Sequence, residues 1–304
     1  MANVKPKINP QFKELVINQP GKVNLNKHNC DYLVKEVKKV GKKKAHNLAH
    51  DVLEESRQAL ISAHEKLWAS HKYGVLIVLQ GMDTAGKDGT IRHILSGINP
   101  QGCRVQGFKV PTAEEHGHNF LWRYQKVVPA RGEVVVFNRS HYEDVLAVKV
   151  HPEYMEQLPE ELALGKNKKF WDERYEDINH FEKHLARNGI VVLKFFLHIS
   201  KDEQKNRLME RLSNEDKYWK VSPADLKERQ FWDNYVAAYE DLLSKTGHEY
   251  APWIVVPAND KPIARAIIAH IVADAINALD IDFPKLSKEE IANLKQAKIQ
   301  LEKE

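Results

Sequence analysis

At 304 residues, 42% of them hydrophobic, the chain is long enough for one large domain with a continuous core. No apolar run approaches the roughly 20 residues of a membrane span, and Met1-Ala2-Asn3-Val4-Lys5-Pro6-Lys7 lacks the apolar stretch of a secretory signal. The net charge is +4, and Cys30 and Cys103 are too few for a disulfide framework and lack metal-site spacing, so a cytoplasmic protein is expected.

Residues 1–30, with prolines, asparagines and no period, read as an extended arm. Residues 1–50 hold eleven lysines against Glu14, Asp31 and Glu36, a net of +8 that leaves −4 for the remainder. The run Lys38-Lys39-Val40-Gly41-Lys42-Lys43-Lys44 is a solvated helix face or a surface for a polyanion. No zinc finger, RRM signature or helix-turn-helix accompanies it, so nucleic acid is not an expected partner. From Asp31 to about Ser70 the pattern is helical, with Ala45, Leu48, Val52, Ser56, Leu60, Ala63 and Leu67 lining one face.

Val75–Leu79 is a strand, and it runs into Gly81-Met82-Asp83-Thr84-Ala85-Gly86-Lys87-Asp88-Gly89-Thr90. Strand, glycine loop, lysine and helix make a phosphate-binding loop: backbone N–H groups and a positive helix N-terminus wrap the oxygens, and Lys87 adds a point charge. Gly81, Gly86 and Lys87 fit the G-x-x-x-x-G-K-[ST] form, but position 88 is Asp and the nearest hydroxyl is Thr90. A carboxylate in an anion-binding loop costs energy unless a cation sits between it and the phosphates, so Asp83 reads as a magnesium ligand replacing the hydroxyl.

Further on, Gly102–Lys109 is a short strand, Glu114–Lys126 a helix with His116 and His118, and Glu133–Phe137 a buried strand. Asn138-Arg139-Ser140-His141-Tyr142-Glu143-Asp144 follows at the strand's C-terminal end, the edge where open α/β sheets bind ligands. Arg139 suits bidentate binding of phosphate oxygens. Glu143 and Asp144 either orient magnesium through water or are ordinary acids facing a helix dipole. Trp171, Tyr175, Ile178, Phe181 and Leu185 form a core stripe; Ile190–Ile199 is a central strand. Ser200 caps a helix bearing Arg207 and Arg211, and about 213–222 reads as a mobile cover, with Ser222-Pro223-Ala224-Asp225 restarting a helix. Trp253–Val256 is a fifth strand, Ile263–Leu279 an apolar helix, and the segment from Ser287 a charged tail.

Strands alternating with helices call for an α/β P-loop kinase fold, three layers around a five-stranded parallel sheet in the order 2-3-1-4-5. The expected organisation is an arm and helix over 1–70, a phosphotransferase domain over 71–280 and a tail over 281–304.

The chain resembles the polyphosphate kinases of the second type. The blocks that carry the resemblance are the loop above, Phe108-Lys109-Val110-Pro111-Thr112 with Glu114-Glu115-His116, and His118-Asn119-Phe120-Leu121-Trp122-Arg123. They continue with Phe137–Leu146, Leu197-His198-Ile199-Ser200-Lys201, Trp219–Asp225 and Trp232-Asp233, spanning about 70–260. The resemblance implies phosphoryl transfer from inorganic polyphosphate to adenine, and also guanine, nucleotides. Mg²⁺ or Mn²⁺ would serve as metal in a homo-oligomer, a dimer or tetramer. It implies that Asp83, Lys87 and Arg139 are catalytic and that Gly81, Ala85, Gly86, Asp88, Gly89, Thr90, Arg207 and Arg211 hold phosphates. Glu143 and Asp144 would share the metal, with Lys220 and Asp225 in the lid and nucleotide site. The commoner family pattern, Asp-Arg-Ser-Trp-Tyr-Asn, has Asp where Asn138 stands, which moves the metal role toward Glu143 or Asp144. The His-Tyr-Glu-Asp version resembles the subclass acting on both mono- and diphosphates. A thymidylate-kinase-like enzyme with an ordinary donor would keep Ser or Thr after the lysine, and a non-catalytic nucleotide sensor would not need a cover.

Overall fold

The computed structural model describes residues 4–32, 40–155 and 167–304; Lys38 and Lys39 of the basic run lie outside these. In chain order the elements are β1 (Val16–Ile17), α1 (Lys42–Ser70), β2 (Gly74–Gly81), α2 (Lys87–Ile94) and β3 (Cys103–Gly107). Then come α3 (Ala113–His116), α4 (Trp122–Gln125), β4 (Val134–Asn138), α5 (Glu143–Val150) and α6 (Lys168–Arg187). The chain continues through β5 (Ile190–His198), α7 (Lys201–Leu212), α8 (Pro223–Glu228), α9 (Trp232–Thr246), β6 (Trp253–Pro257), α10 (Lys261–Asn277) and α11 (Lys288–Leu301).

The sheet has the order β1-β6-β5-β2-β4-β3, with every pair parallel except β1–β6. The five parallel strands therefore follow 2-3-1-4-5 when counted from β2, as expected. The sixth strand corrects the reading of residues 1–30 as a plain arm. Val16 and Ile17 pair with Ile254 and Trp253, covering an edge whose N–H and C=O groups would otherwise stay unpaired.

β2 is buried at every residue, and so is β5 except at His198, because helices lie on both faces. α1 and α2 pack with α10 on one side, and α5, α6 and α9 on the other. α1 and α10 both carry small buried residues, Ala45, Ala49 and Ala63 on the first and Ala266, Ala269 and Ala273 on the second. The two helices run in the same direction, since His46 pairs with Asp260 and Ser56 faces His270.

That alanine face also corrects the expected stripe. Leu48 is 51% and Val52 37% exposed, while Ala49 is buried. The contact face is rotated toward the smaller side chains because they permit closer helix approach. Glu114–Lys126 is not one helix. It splits into α3, closed by a Thr112/Glu115 capping box, and α4, with Gly117 and the His118–Trp122 stack (3.8 Å between centroids) at the break. The cover resolves into a 3₁₀ turn at Glu215–Lys220 followed by α8. No residue of α11 is buried.

Candidate active site

Every loop carrying a candidate residue emerges at the C-terminal edge of the sheet. Leu79 of β2 lies opposite Asn138 of β4, and Gly81 opposite Leu197 of β5, so the phosphate loop and the segment from Asn138 leave side by side. Gly86 caps α2 with φ +105, which glycine adopts without a Cβ clash. Of the three non-glycine residues with positive φ among the described residues, two are here: Thr84 (φ 66) in this loop and Arg139 (φ 65) in the facing one. Strain of this kind persists where the surroundings over-determine it, and here it turns both side chains' segments toward one point.

At that point Arg139 bridges two carboxylates. Its Nη2 donates to Asp83 Oδ1 at 2.9 Å and its Nη1 to Glu143 Oε2 at 3.2 Å. Glu143 and Asp83 hold its guanidinium above the ordinary arginine value despite burial. Lys87 curls back over the loop, donating to Gly81 O at 2.7 Å and Met82 O at 3.3 Å. Burial and the nearby Arg139 pull its ammonium down to about 8 against Asp83, Glu143 and Asp88. Asp88, the residue in the usual hydroxyl position, accepts from Asn138 Nδ2 at 2.7 Å. Thr90 is buried on α2, and Thr84 Oγ1 is buried with no hydrogen-bond partner among the described residues.

Asp144 parts company with Glu143. It accepts from the Tyr124 hydroxyl at 2.9 Å and lies 3.9 Å from Arg174. Burial raises its carboxyl above the usual range, opposed by Arg174, Tyr124 and Arg123. Consecutive residues on a helix point about 100° apart, so the two acids could not both face Asp83. Asp144, like Asp83, Arg139 and Glu143, lines a cleft of about 1600 Å³ that also contains Phe108, Phe120, Arg123 and Phe170. Arg174 stacks over Phe120 and Phe170 at 4.6 and 4.9 Å.

Arg207 is placed differently from the free phosphate ligand expected of it. It is 3% exposed, and its five N–H groups are all engaged. Nε meets Glu203 at 2.6 Å, Nη1 the carbonyls of Thr84 and Ala85, and Nη2 those of Ala258 and Asn259. A saturated guanidinium clamps the phosphate loop to the end of β6 from below. Arg211 donates to Lys220 O at 2.9 Å, steadying the cover, and neither it nor Lys220 lines the cleft. Asp225 does line it, while one of its oxygens completes a capping box with Ser222.

Sequence reasoning missed three groups. Gln204 joins the loop to the residue after α8: its Nε2 donates to Asp83 O at 3.2 Å, and its Oε1 accepts from Arg229 at 2.7 Å. Under the Asn138–Asp144 segment lies a buried network in which Lys194 donates to Glu182 at 2.6 Å, Tyr142 at 2.8 Å and Thr246 O at 2.7 Å. His141 meets Glu182 at 3.2 Å, and all four side chains are 1% exposed or less. A lysine inside the apolar run Ile190–Ile199 was the available signal for it. The third group, Arg265 over α2, had no signal in spacing.

Among the described residues no three His, Cys, Asp or Glu side chains form a ready metal cage. Magnesium takes one or two carboxylates together with substrate phosphates and water, and Asp83 and Glu143, 31% and 18% exposed at the cleft, fit that requirement.

The chain matches the family model described as Polyphosphate kinase 2 over residues 43–284. It is 46% identical over 254 residues to the ADP-polyphosphate phosphotransferase of Rhodopseudomonas palustris, covering 83% of this chain and 87% of that one. It is 46% identical over 221 residues to the AMP/ADP-polyphosphate phosphotransferase of Meiothermus ruber, covering 73% and 78%. The crystal structure of Polyphosphate Kinase 2 from Arthrobacter aurescens superimposes with a TM-score of 0.73 at 41% identity, over 80% of this chain and 84% of that one.

Proposed function

The chain belongs to the polyphosphate kinase 2 family, and from that premise we propose that it moves phosphoryl groups from inorganic polyphosphate to AMP and ADP through the Asp83–Lys87–Arg139–Glu143 cluster. The observation that carries the assignment to this cluster is the single guanidinium of Arg139 bridging a loop carboxylate and a facing one at the mouth of the cleft. In phosphoryl transfer the protein contributes position and charge rather than covalent chemistry. Lys87 and the N–H groups of residues 86–89 bind donor phosphates, as loop and helix N-terminus do for any phosphate chain. Arg139 then trades a carboxylate for the transferring group, where charge develops.

Mg²⁺, or Mn²⁺ in its place, would be held by Asp83 directly and Glu143 through water. When bound it would neutralise charge on the phosphate oxygens. Asn138 and Asp144 are assigned no metal contact, since one is committed to Asp88 and the other to Tyr124 and Arg174. The aromatic and cationic wall of the cleft, Phe108, Phe120, Phe170, Arg123 and Arg174, suits a nucleotide: faces for a base and guanidinium groups for its phosphates. Asp225 adds a carboxylate to the lining of the same cleft.

The test is incubation of the protein with polyphosphate, Mg²⁺ and, separately, AMP, ADP, GMP and GDP, followed by nucleotide separation. ATP forming from ADP with no other phosphoryl source is the expected result. Unchanged ADP, with ready transfer from ATP to a monophosphate, would replace this reading with an ordinary nucleotide kinase.

A further inference from the structure

Arg139 holds its left-handed φ of 65 at the point where the chain leaves β4, and its own N–H donates to Leu79 O at 3.2 Å. The residues after it are fastened from below. Ser140, fully buried, accepts at Oγ from Gln80 Nε2 of β2 at 3.1 Å and from the N–H of Tyr142 at 3.3 Å. The N–H of Glu143 donates to Ser140 O at 2.9 Å, which closes the turn and sets the start of α5.

His141 and Tyr142 point the other way, into the Glu182–Lys194 network. Glu182 Oε1, from α6, accepts from the Tyr142 hydroxyl at 2.7 Å and from His141 Nε2 at 3.2 Å. Lys194 Nζ, from β5, donates to Glu182 Oε2, to the same Tyr142 hydroxyl and to Thr246 O at the end of α9. All three ammonium N–H groups are thereby engaged. Thr246 Oγ1 accepts in turn from Trp253 Nε1 of β6 at 2.9 Å. The turn that carries Arg139 is thus bonded to one rigid node shared by a helix on the sheet face, the central strand β5 and the end of a second helix. None of His141, Tyr142, Glu182, Lys194 and Thr246 lines the cleft.

Stability gives no reason for charges in this place, because well-packed apolar residues of similar volume hold a core at least as firmly as a buried ion pair. Hydrogen bonds supply what apolar contacts do not, a fixed direction. A backbone held in a sparsely populated conformation needs that, since it persists only where its surroundings over-determine it. We propose that Tyr142, Glu182 and Lys194 are positioning residues for phosphoryl transfer, holding the Arg139 turn so that its guanidinium meets the transferring group. The proposal rests on the role given to Arg139 above and assigns the network no contact with substrate.

The test uses the full-length protein with polyphosphate and ADP. Tyr142→Phe keeps the ring and the ion pair but removes the hydroxyl that joins them to the turn; kcat should fall about threefold or more. Glu182→Gln combined with Lys194→Met removes both charges together, and in the folded protein kcat should fall about tenfold or more. Both KM values should stay within about twofold of the parent, since the groups that bind ground-state substrates are untouched. In an Arg139→Lys background neither change should lower kcat further by more than about twofold, because the geometry they guard is already lost. Amide hydrogen exchange gives a readout independent of activity. The N–H groups of Arg139 and Glu143 should exchange faster in both variants while those of β2 and β5 keep parental protection. Equal fractional losses of kcat with Arg139 or Lys at position 139, or exchange quickened alike through β2 and β5, would overturn the proposal in favour of core packing. Parental kcat in Tyr142→Phe and in the double variant of an active parent would overturn it alone. A parent that moves no phosphoryl group from polyphosphate would overturn the functional reading and the network's tie to transfer with it.

Discussion

The side-chain amide of Asn138, the last residue of β4, donates to the carboxylate of Asp88, the residue following the loop lysine, at 2.7 Å. Two departures from common patterns thus meet in one contact. Position 88 carries an acid where phosphate loops usually carry a hydroxyl, and position 138 carries an amide where the family pattern implied by the resemblance has Asp. An amide donor can face a carboxylate without a cation between them, whereas a second carboxylate cannot.

Asn138→Asp is therefore expected to place two acids together beside an anion site. The apparent KM for polyphosphate should rise about threefold or more, and the variant should demand more divalent cation for half-maximal rate. Asn138→Ala should shift the same quantities less, because it frees Asp88 without adding charge. Steady-state rates across a magnesium series check this, and identical curves for parent and Asn138→Asp would refute the pairing's importance.

Lys87 provides a pH signature. Its ammonium is pulled to about 8 in the free protein, so the charge that receives the donor is present below that pH and lost above it. The expected profile of kcat/KM for polyphosphate falls as pH rises through about 8. Lys87→Arg should abolish that fall, since guanidinium stays protonated, even at a lower absolute rate. Lys87→Ala should cost about 100-fold or more in kcat. A folded Lys87→Ala variant retaining most of its rate would displace the loop from the chemistry.

Asp83→Asn keeps size and hydrogen bonding while removing the charge assigned to the metal. It also loosens Arg139, which would keep only Glu143. We expect kcat to fall about tenfold or more together with a higher magnesium requirement. Parental magnesium dependence in this variant would make Asp83 a loop residue that merely positions Arg139.

The Glu182–Lys194 pair predicts a stability effect. Burial raises the Glu182 carboxyl, but Lys194 and His141 outweigh it and hold it below its ordinary value; burial draws Lys194 down to about 8 against Glu182. Removing one partner strands a charge in the core, so Glu182→Gln or Lys194→Met should each cost about 3–5 kcal/mol in chemical denaturation. Combining Lys194→Met with Glu182→Gln should cost less than the sum of the two. Additive losses would show that the residues are not coupled.

Much of this molecule was legible from residue order alone, because its signals are local. Strand-length apolar runs, the glycine spacing before Lys87, the caps at Ser200 and Ser222 and the parallel order of five strands all follow from neighbours along the chain. So does the gathering of Asp83, Lys87 and Arg139, because parallel strands deliver their C-terminal loops to one edge. What each side chain does there depended on partners far away in sequence. Arg207 and Arg139 look equally available as phosphate ligands on paper. Only packing shows that the first spends its donors on the Glu203 carboxylate and on the carbonyls of residues 84, 85, 258 and 259, and the second lies open between two acids. Glu143 and Asp144 are adjacent, yet helical rotation sends one to Arg139 and the other to Tyr124. Arg265 and Gly89 are separated by most of the chain, and their meeting follows from how α10 lies on α2. Local order determines which groups reach the site, and three-dimensional packing decides which of them still have free donors, acceptors and charge when they arrive.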